Sequence, residues 1–300
     1  MSDNVTTTIG FIGLGRMGLP MAARMVTAGH TVYGYDVAEM ARQRLAQVGG
    51  KPVSDLAEVA AAHTIILMLP DSAAVSAVLH DAALESKLRP GTTVIDMSSS
   101  EPMETRKLAE EVARRGMRLL DAPVSGGVKG AEAGKLTIMI GVPEAEYADL
   151  AVLLAPLGRM VRAGDVGAGH AVKALNNLLS AAHLLATSEA IRVGQRFGLD
   201  PKVMLDIFNT SSGRSGSTEN KWPNFIISEK YDSGFALRLM VKDMKIAVDL
   251  GNDLGVSMAL GEAARALWQD AADTLPATAD HTHIATWPGP GDNRARGKLK

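Results

Sequence analysis

Ten residues near the start of the chain constrain its fold more than any others: Ile9-Gly10-Phe11-Ile12-Gly13-Leu14-Gly15-Arg16-Met17-Gly18. An apolar run suited to a buried strand ends in Gly13-x-Gly15-x-x-Gly18, and a helical pattern begins at once. Each glycine meets a separate need. The first permits a tight turn, the second lets backbone approach a pyrophosphate, and the third lets the helix lie close on the strand. The helix N-terminus then offers unpaired N–H groups and the positive end of its dipole to phosphates. A second apolar segment, Thr31–Tyr35, ends at Asp36, near the offset of a ribose-binding acid. Strand, glycines, helix, strand and acid in this order predict a dinucleotide site formed by Gly13, Leu14, Gly15, Arg16, Met17, Gly18 and Asp36.

Asp36 also bears on which dinucleotide. A carboxylate there accepts hydrogen bonds from both ribose hydroxyls and repels a 2′-phosphate, which favours NAD over NADP. No arginine follows it directly, although Arg42 and Arg44 lie a turn or so along the next helix. A helix N-cap role is compatible with ribose binding.

Three hundred residues exceed what one hydrophobic core usually organises, so two domains are expected. A net charge of −2 gives no reason to expect nucleic acid or an anionic membrane as partner. The absence of cysteine excludes disulfides, thiolate catalysis and cysteine–metal sites, and no metal site is expected. The first residues carry no basic, then apolar, signal pattern, and no apolar run is long enough for a bilayer. A soluble cytoplasmic protein is the expectation.

From residue 7 to about 163, short β-like runs alternate with amphipathic stretches, the pattern of a doubly wound parallel α/β sheet. Candidate strands are Thr8–Ile12, Thr31–Tyr35, Thr64–Leu69, Thr92–Asp96, Arg118–Ala122, Leu136–Ile140 and Met160–Arg162. Candidate helices are Pro20–Ala28, Ala38–Val48, Pro102–Arg114 and Pro143–Leu154. After Gly164 the character changes. No proline interrupts Ala168 to about Arg196, which reads as one helix of about 38 Å. Further helices are expected at Pro201–Asn209, Leu237–Leu254 and Met258–Ala272, making this half all-helical. The expected division is a dinucleotide-binding domain over 1–163, a helical domain over 164–286, and a loosely ordered basic tail over 287–300.

Six further stretches bear on chemistry. Leu69-Pro70-Asp71-Ser72 and Asp96-Met97-Ser98-Ser99-Ser100-Glu101 follow strands at the carboxyl edge of the sheet, where ligands bind, although serine-rich turns also serve as helix caps. In Asp121-Ala-Pro-Val-Ser125-Gly126-Gly127, two glycines after a serine expose consecutive N–H groups, a nest for a carboxylate. Gly164 to Asn177 opens the long helix and sets Lys173 and Asn177 four residues apart, on one face. That face is otherwise Ala, Val and Leu. Burial and the positive helix end both disfavour an ammonium there, which suits a general acid/base, while a snorkelling surface lysine is the plainer alternative. Finally, Lys242-Asp243 is flanked by apolar residues that turn Lys242 toward an interface, or it is a solvated face. Arg214, in the polar loop Thr210–Thr218, can clamp an anionic head group or stand exposed at a hinge.

Taken together, Phe11–Ala22, Asp121–Gly127, Gly164–Asn177 and Lys242-Asp243 resemble the β-hydroxyacid dehydrogenases, of which the 3-hydroxyisobutyrate dehydrogenases are the best-known members. The resemblance covers about residues 8 to 286. It implies a Rossmann domain followed by a 6-phosphogluconate dehydrogenase-like helical domain through which dimers or tetramers form. It makes Lys173 the catalytic lysine, assigns substrate to Ser125, Gly126, Gly127 and Asn177, and adds Leu69, Pro70, Ser99 and Lys242 to the cofactor site. Departures are few: Arg24 replaces a small polar residue, Met97 and Ser99 replace Ser and Thr, and the tail and the Arg214 loop are unusual. The expectation is an NAD-dependent oxidoreductase interconverting a small 3-hydroxy acid and its semialdehyde or keto acid. The alternatives are a tartronate or succinic semialdehyde reductase or a sulfonate-aldehyde reductase of the same family, or a non-catalytic NAD-binding scaffold.

Overall fold

The computed structural model describes residues 6–290. The described residues form two compact units, divided between Lys173 and Ala174, and the division falls inside the long helix Ala168–Phe197.

The nine strands among the described residues are β1 (Thr8–Ile12), β2 (Thr31–Tyr35), β3 (Lys51–Pro52), β4 (Thr64–Leu67), β5 (Thr93–Asp96), β6 (Arg118–Asp121), β7 (Val124–Ser125), β8 (Leu136–Gly141) and β9 (Gly158–Gly164). They make one sheet of the first unit in the order 3-2-1-4-5-6-8-7, with β9 pairing β8. From β3 to β6 all pairs are parallel. The sheet is therefore wound outward in both directions from β1 and β4, and the glycine turn leaves β1 at this switch point, where open α/β sheets bind ligands.

The strands are apolar on both faces because helices cover both. In β4, Ile65 and Leu67 enter one buried cluster with Val94 and Val112, while Ile66 enters the opposite one with Phe11 and Met21. Alternation along a strand sends neighbours to opposite faces, and both are dry. Pro102 opens the helix Pro102–Arg114 in its first turn, where its missing N–H costs nothing.

The sheet is not wholly parallel, in contrast to the sequence expectation. β8 runs antiparallel to β6 and β7. The connection explains this. The helix between β7 and β8, Gly127–Ala133, has seven residues and spans about 10 Å. That falls short of the ~20 Å length of the six-residue β8, which a parallel return would have to span, so the chain re-enters the sheet from the edge it left.

The second unit is helical. After Ala168–Phe197 come Pro201–Asn209, a π-helical stretch Ser217–Ile226 that contains Pro223, Leu237–Asp253 and Ala259–Thr274. Ala174, Leu178, Ala181 and Leu185 recur at helical spacing and enter one core with Met244, Ala247 and Trp268. Trp268 is fully buried and donates its indole N–H to the Ala181 carbonyl at 3.3 Å. Trp287, placed at the head of the tail by the sequence expectation, is buried in the same core, and Arg192 donates to its carbonyl. The remainder of that expected tail, from 291, lies outside the described residues. Among the described residues no helix is long and apolar enough to cross a membrane.

Candidate active site

In the first unit, the glycine turn follows the division of labour expected of it. Gly13 has a φ of +93°, and a Cβ there would lie 2.3 Å from the Met68 carbonyl oxygen. A Cβ on Gly18 would meet the Gly13 oxygen at 1.8 Å. A Cβ on Gly15, by contrast, would meet nothing within 4 Å. The first and third glycines are demanded by the protein's own packing, and the second keeps a surface clear for a ligand. Leu14 is buried, Arg16 is exposed and Met17 is part-buried, with the helix Gly18–Thr27 starting directly behind them. These residues fit a dinucleotide pyrophosphate.

Asp36 stands at the end of β2, where it also clasps the turn. Its Oδ2 accepts the Leu14 N–H at 2.7 Å and its Oδ1 accepts the Ala38 N–H at 2.8 Å. The N-cap of the next helix is Ala38, so Asp36 closes a local Asx-type turn and does not cap the helix. Each carboxylate oxygen keeps a further lone pair for a ribose hydroxyl. Arg42 packs over the Tyr35 ring, 5.9 Å from its centroid, and donates to the Asp36 carbonyl at 2.5 Å. Arg44 reaches the Met40 sulfur.

The serine loop divides into structural and presented residues. Ser98 is buried, takes the Leu69 N–H on its hydroxyl at 2.9 Å and donates its own N–H to Asp96 Oδ1. Ser100 is buried and donates to Asp96 Oδ2 at 2.7 Å. Between them Ser99 is part-exposed, as is Leu69, and Pro70 is exposed. The buried aspartate thus holds the loop through the two outer serines.

Ser125 ends β7, paired with Thr137 of β8. Gly126 and Gly127 follow with φ of +129° and +63°, conformations that favour glycine, and lead into a short helix. Nothing lies within 4 Å of a Cβ built on Gly127. Arg24 sits behind this segment, donating to the Pro156 carbonyl at 3.3 Å, and a Cβ on Gly134 would meet its guanidinium at 2.8 Å.

One buried carboxylate had no role in the sequence reading. Asp121, fully buried at the end of β6, accepts the Gly167 N–H at 2.7 Å and the His170 N–H at 2.8 Å. Both donors are at the opening of the helix that carries Lys173. Burial raises the Asp121 pKa, against the pull of His170 and of the backbone donors. His170 is buried as well, with Nδ1 at 2.9 Å from Thr105 Oγ1. Gly169 completes the anchor, since a Cβ there would stand 2.2 Å from the Met139 carbonyl.

Lys173, the last residue of the first unit, is 7% exposed. The snorkelling alternative is therefore not what the fold adopts. In the second unit, one turn along the same helix, Asn177 is buried and donates its amide to Asp243 Oδ2 at 2.6 Å. Asp243 is buried too, and Lys242 Nζ lies 3.9 Å from its other oxygen. The Lys242-Asp243 pair is thus no solvated face. Arg214 is paired with Glu219 at 2.6 Å and largely exposed. The Asn177–Asp243 pair spans 66 residues and leaves no local spacing signal in the sequence.

A dinucleotide turn on a doubly wound sheet, followed along the chain by a sheltered amine, defines a nicotinamide-dependent oxidoreductase. Comparison with known proteins narrows the class. Residues 8–167 match the family model for the NAD binding domain of 6-phosphogluconate dehydrogenase, and residues 167–287 match the NAD-binding model of NADP-dependent 3-hydroxyisobutyrate dehydrogenase. The chain is 39% identical to 2-(hydroxymethyl)glutarate dehydrogenase of Eubacterium barkeri, over 87% of this chain and 88% of that one. It is 37% identical to 3-hydroxyisobutyrate dehydrogenase of Pseudomonas aeruginosa, over 92% and 94%. Among solved structures, the Mycobacterium tuberculosis 3-hydroxyisobutyrate dehydrogenase with L-serine superposes with a TM-score of 0.89 at 32% identity, covering 94% and 99%. The chain belongs to the β-hydroxyacid dehydrogenase family, NAD-binding oxidoreductases that act on CH–OH groups.

Proposed function

We propose that the chain oxidises a small 3-hydroxy acid with NAD and, at the same site, reduces the corresponding semialdehyde or keto acid. When bound, the cofactor takes up the hydride that leaves the carbinol carbon. The chain's own part is the proton and the position. Lys173 accepts the hydroxyl proton as the carbonyl forms and returns it in the reverse direction, a general acid/base role. Ser125 and the N–H groups of Gly126 and Gly127 hold the carboxylate, and Asn177, with its amide fixed by Asp243, orients the hydroxyl. Gly13 to Gly18, Asp36, Leu69, Pro70, Ser99 and Lys242 hold the cofactor. Fixing two reactants in one geometry supplies much of the acceleration.

The burial of Lys173, three residues beyond the backbone anchored on Asp121, carries this reading. A scaffold that only bound nucleotide would have no use for an amine withdrawn from water. We place the enzyme in the cytoplasm as a homo-oligomer, supported by its lack of cysteine and by exposed Phe197, Val203, Ile207 and Leu260 on the second unit. The test is a spectrophotometric screen of purified protein against 3-hydroxy acids and semialdehydes. Turnover of at least one acid with NAD is expected. Nucleotide binding without turnover of any of them would favour the scaffold.

A further inference from the structure

At the carboxyl edge of the sheet, the ends of β5 and β6 and two helices meet at a buried histidine that neither proton nor hydride transfer uses. His170 lies in the opening turns of the long helix, three residues before Lys173, and is 1% exposed. Its Nδ1 stands 2.9 Å from Thr105 Oγ1, on the helix Pro102–Arg114. The Thr105 hydroxyl gives its own proton to the Glu101 carbonyl at 3.0 Å, so toward the ring its oxygen accepts. Nδ1 therefore carries a hydrogen.

The other ring nitrogen decides what the histidine does. Nε2 is buried and, among the described residues, has no hydrogen-bond partner. It faces Asp96 Oδ2 at 3.7 Å, an ion-pair distance, and that carboxylate is itself 1% exposed. A bare Nε2 would set its lone pair against the carboxylate, shut away from solvent, and leave a buried acceptor with no donor. A proton on Nε2 turns the same geometry into an attraction. On the other side of the ring, Asp121 Oδ2 accepts the His170 N–H at 2.8 Å and lies 3.9 Å from Nδ1. Two buried carboxylates within 4 Å of the ring outweigh the positive helix end, which by itself disfavours a cation.

The two carboxylates hold different parts of the site. Asp96 fixes the serine loop through Ser98 and Ser100, and so sets where Ser99 is presented. Asp121 fixes the opening of the helix that carries Lys173. We propose that His170 is a positioning residue that works with both ring nitrogens protonated, tying the serine loop of the cofactor site to the start of the lysine helix. This rests on the reading of Ser99 as a cofactor contact and of Lys173 as the general acid/base.

The test exploits the two ends of the ring. A glutamine amide takes the place of Nε2 and can donate to Asp96, whereas an asparagine amide takes the place of Nδ1 and can donate only to Thr105. In the full chain, His170→Gln is expected to keep kcat and NADH affinity within about threefold of wild type. His170→Asn should lose about tenfold or more in each, the scale of one hydrogen bond to a charged group. Asparagine retaining as much of both as glutamine would overturn the proposal, as would a lower Tm with unchanged kinetics in either variant. NADH affinity, read by fluorescence titration, reports on the serine loop even if no hydroxy acid is turned over, a failure that would fall on the reaction alone. A second measurement does not depend on the variants folding: a long-range proton–nitrogen NMR spectrum of the wild-type chain in assay buffer. His170 is expected with hydrogen on both ring nitrogens, and a bare Nε2 would contradict the proposal.

Discussion

Asp36 shows how one carboxylate serves packing and selectivity together. Its oxygens pin the Leu14 and Ala38 N–H groups, which sets the glycine turn against β2 and leaves a negative charge at the turn. A 2′-phosphate brought there meets a like charge. A repulsion of ~1.4 kcal/mol, modest for charges near a protein surface, is already a tenfold penalty. The expected kcat/KM ratio is therefore at least about tenfold in favour of NAD over NADP, and comparable values for the two cofactors would contradict the assignment. Asp280 is a structural counterpart in the second unit. Burial alone would raise its pKa, but hydrogen bonds from His281, Thr282 and Ser233 hold it well below the ordinary 3.8. A carboxyl depressed by folding stabilises fully above its unfolded value, and that stabilisation fades as pH falls through the folded one. Asp280→Asn should thus lower Tm at pH 7, with the gap to wild type closing below about pH 4 in thermal melts. Spacing alone exposed the tight turn at Gly13, the carboxylate that follows β2 at Asp36 and the buried position of Lys173, each of which the structure shows. Asp121, Asp243 and His170 were not exposed in this way, because their partners lie 46, 66 and 65 residues away.

Among the elements, the helix Ala168–Phe197 matters most, and its docking depends on small residues. Gly169 and Gly194 both lie inside it, and at either position alanine would gain about 1 kcal/mol of helix propensity. Their surroundings differ. At Gly169 the new Cβ meets the Met139 carbonyl oxygen at 2.2 Å, whereas at Gly194 it meets the end of the Met204 side chain at 2.3 Å. Backbone cannot yield and a methionine can. Gly169→Ala is expected to lower the denaturation midpoint and kcat together, and Gly194→Ala to change both far less, as read from urea melts and steady-state rates. Long periodic elements were readable from sequence: β1, β2 and the helices Pro102–Arg114 and Pro201–Asn209 lie where the pattern puts them. The two-residue strands β3 and β7 have too few residues to show a period. The helix Ser72–Leu79 is Ala, Val, Ser and Leu, with little amphipathic contrast. The stretch Ser217–Ile226 was hidden by Pro223, which ordinarily argues against a helix.

For the whole molecule, the order of the units matters more than the details of either. A doubly wound sheet ends, and the next helix begins on an aspartate of that sheet and continues into a predominantly helical unit. The change in character near Gly164 was visible as the end of strand–helix alternation. The reversal of β8 and the anchoring of Trp287 were not, because both depend on where the chain returns in space. The account stands on the amine at that junction. Turnover of the preferred hydroxy acid by Lys173→Ala, measured beside NADH binding by fluorescence titration, tests it most directly. Loss of the general acid/base should cut kcat by two orders of magnitude or more, with NADH binding within about twofold of wild type. Wild-type turnover in that variant would contradict the account.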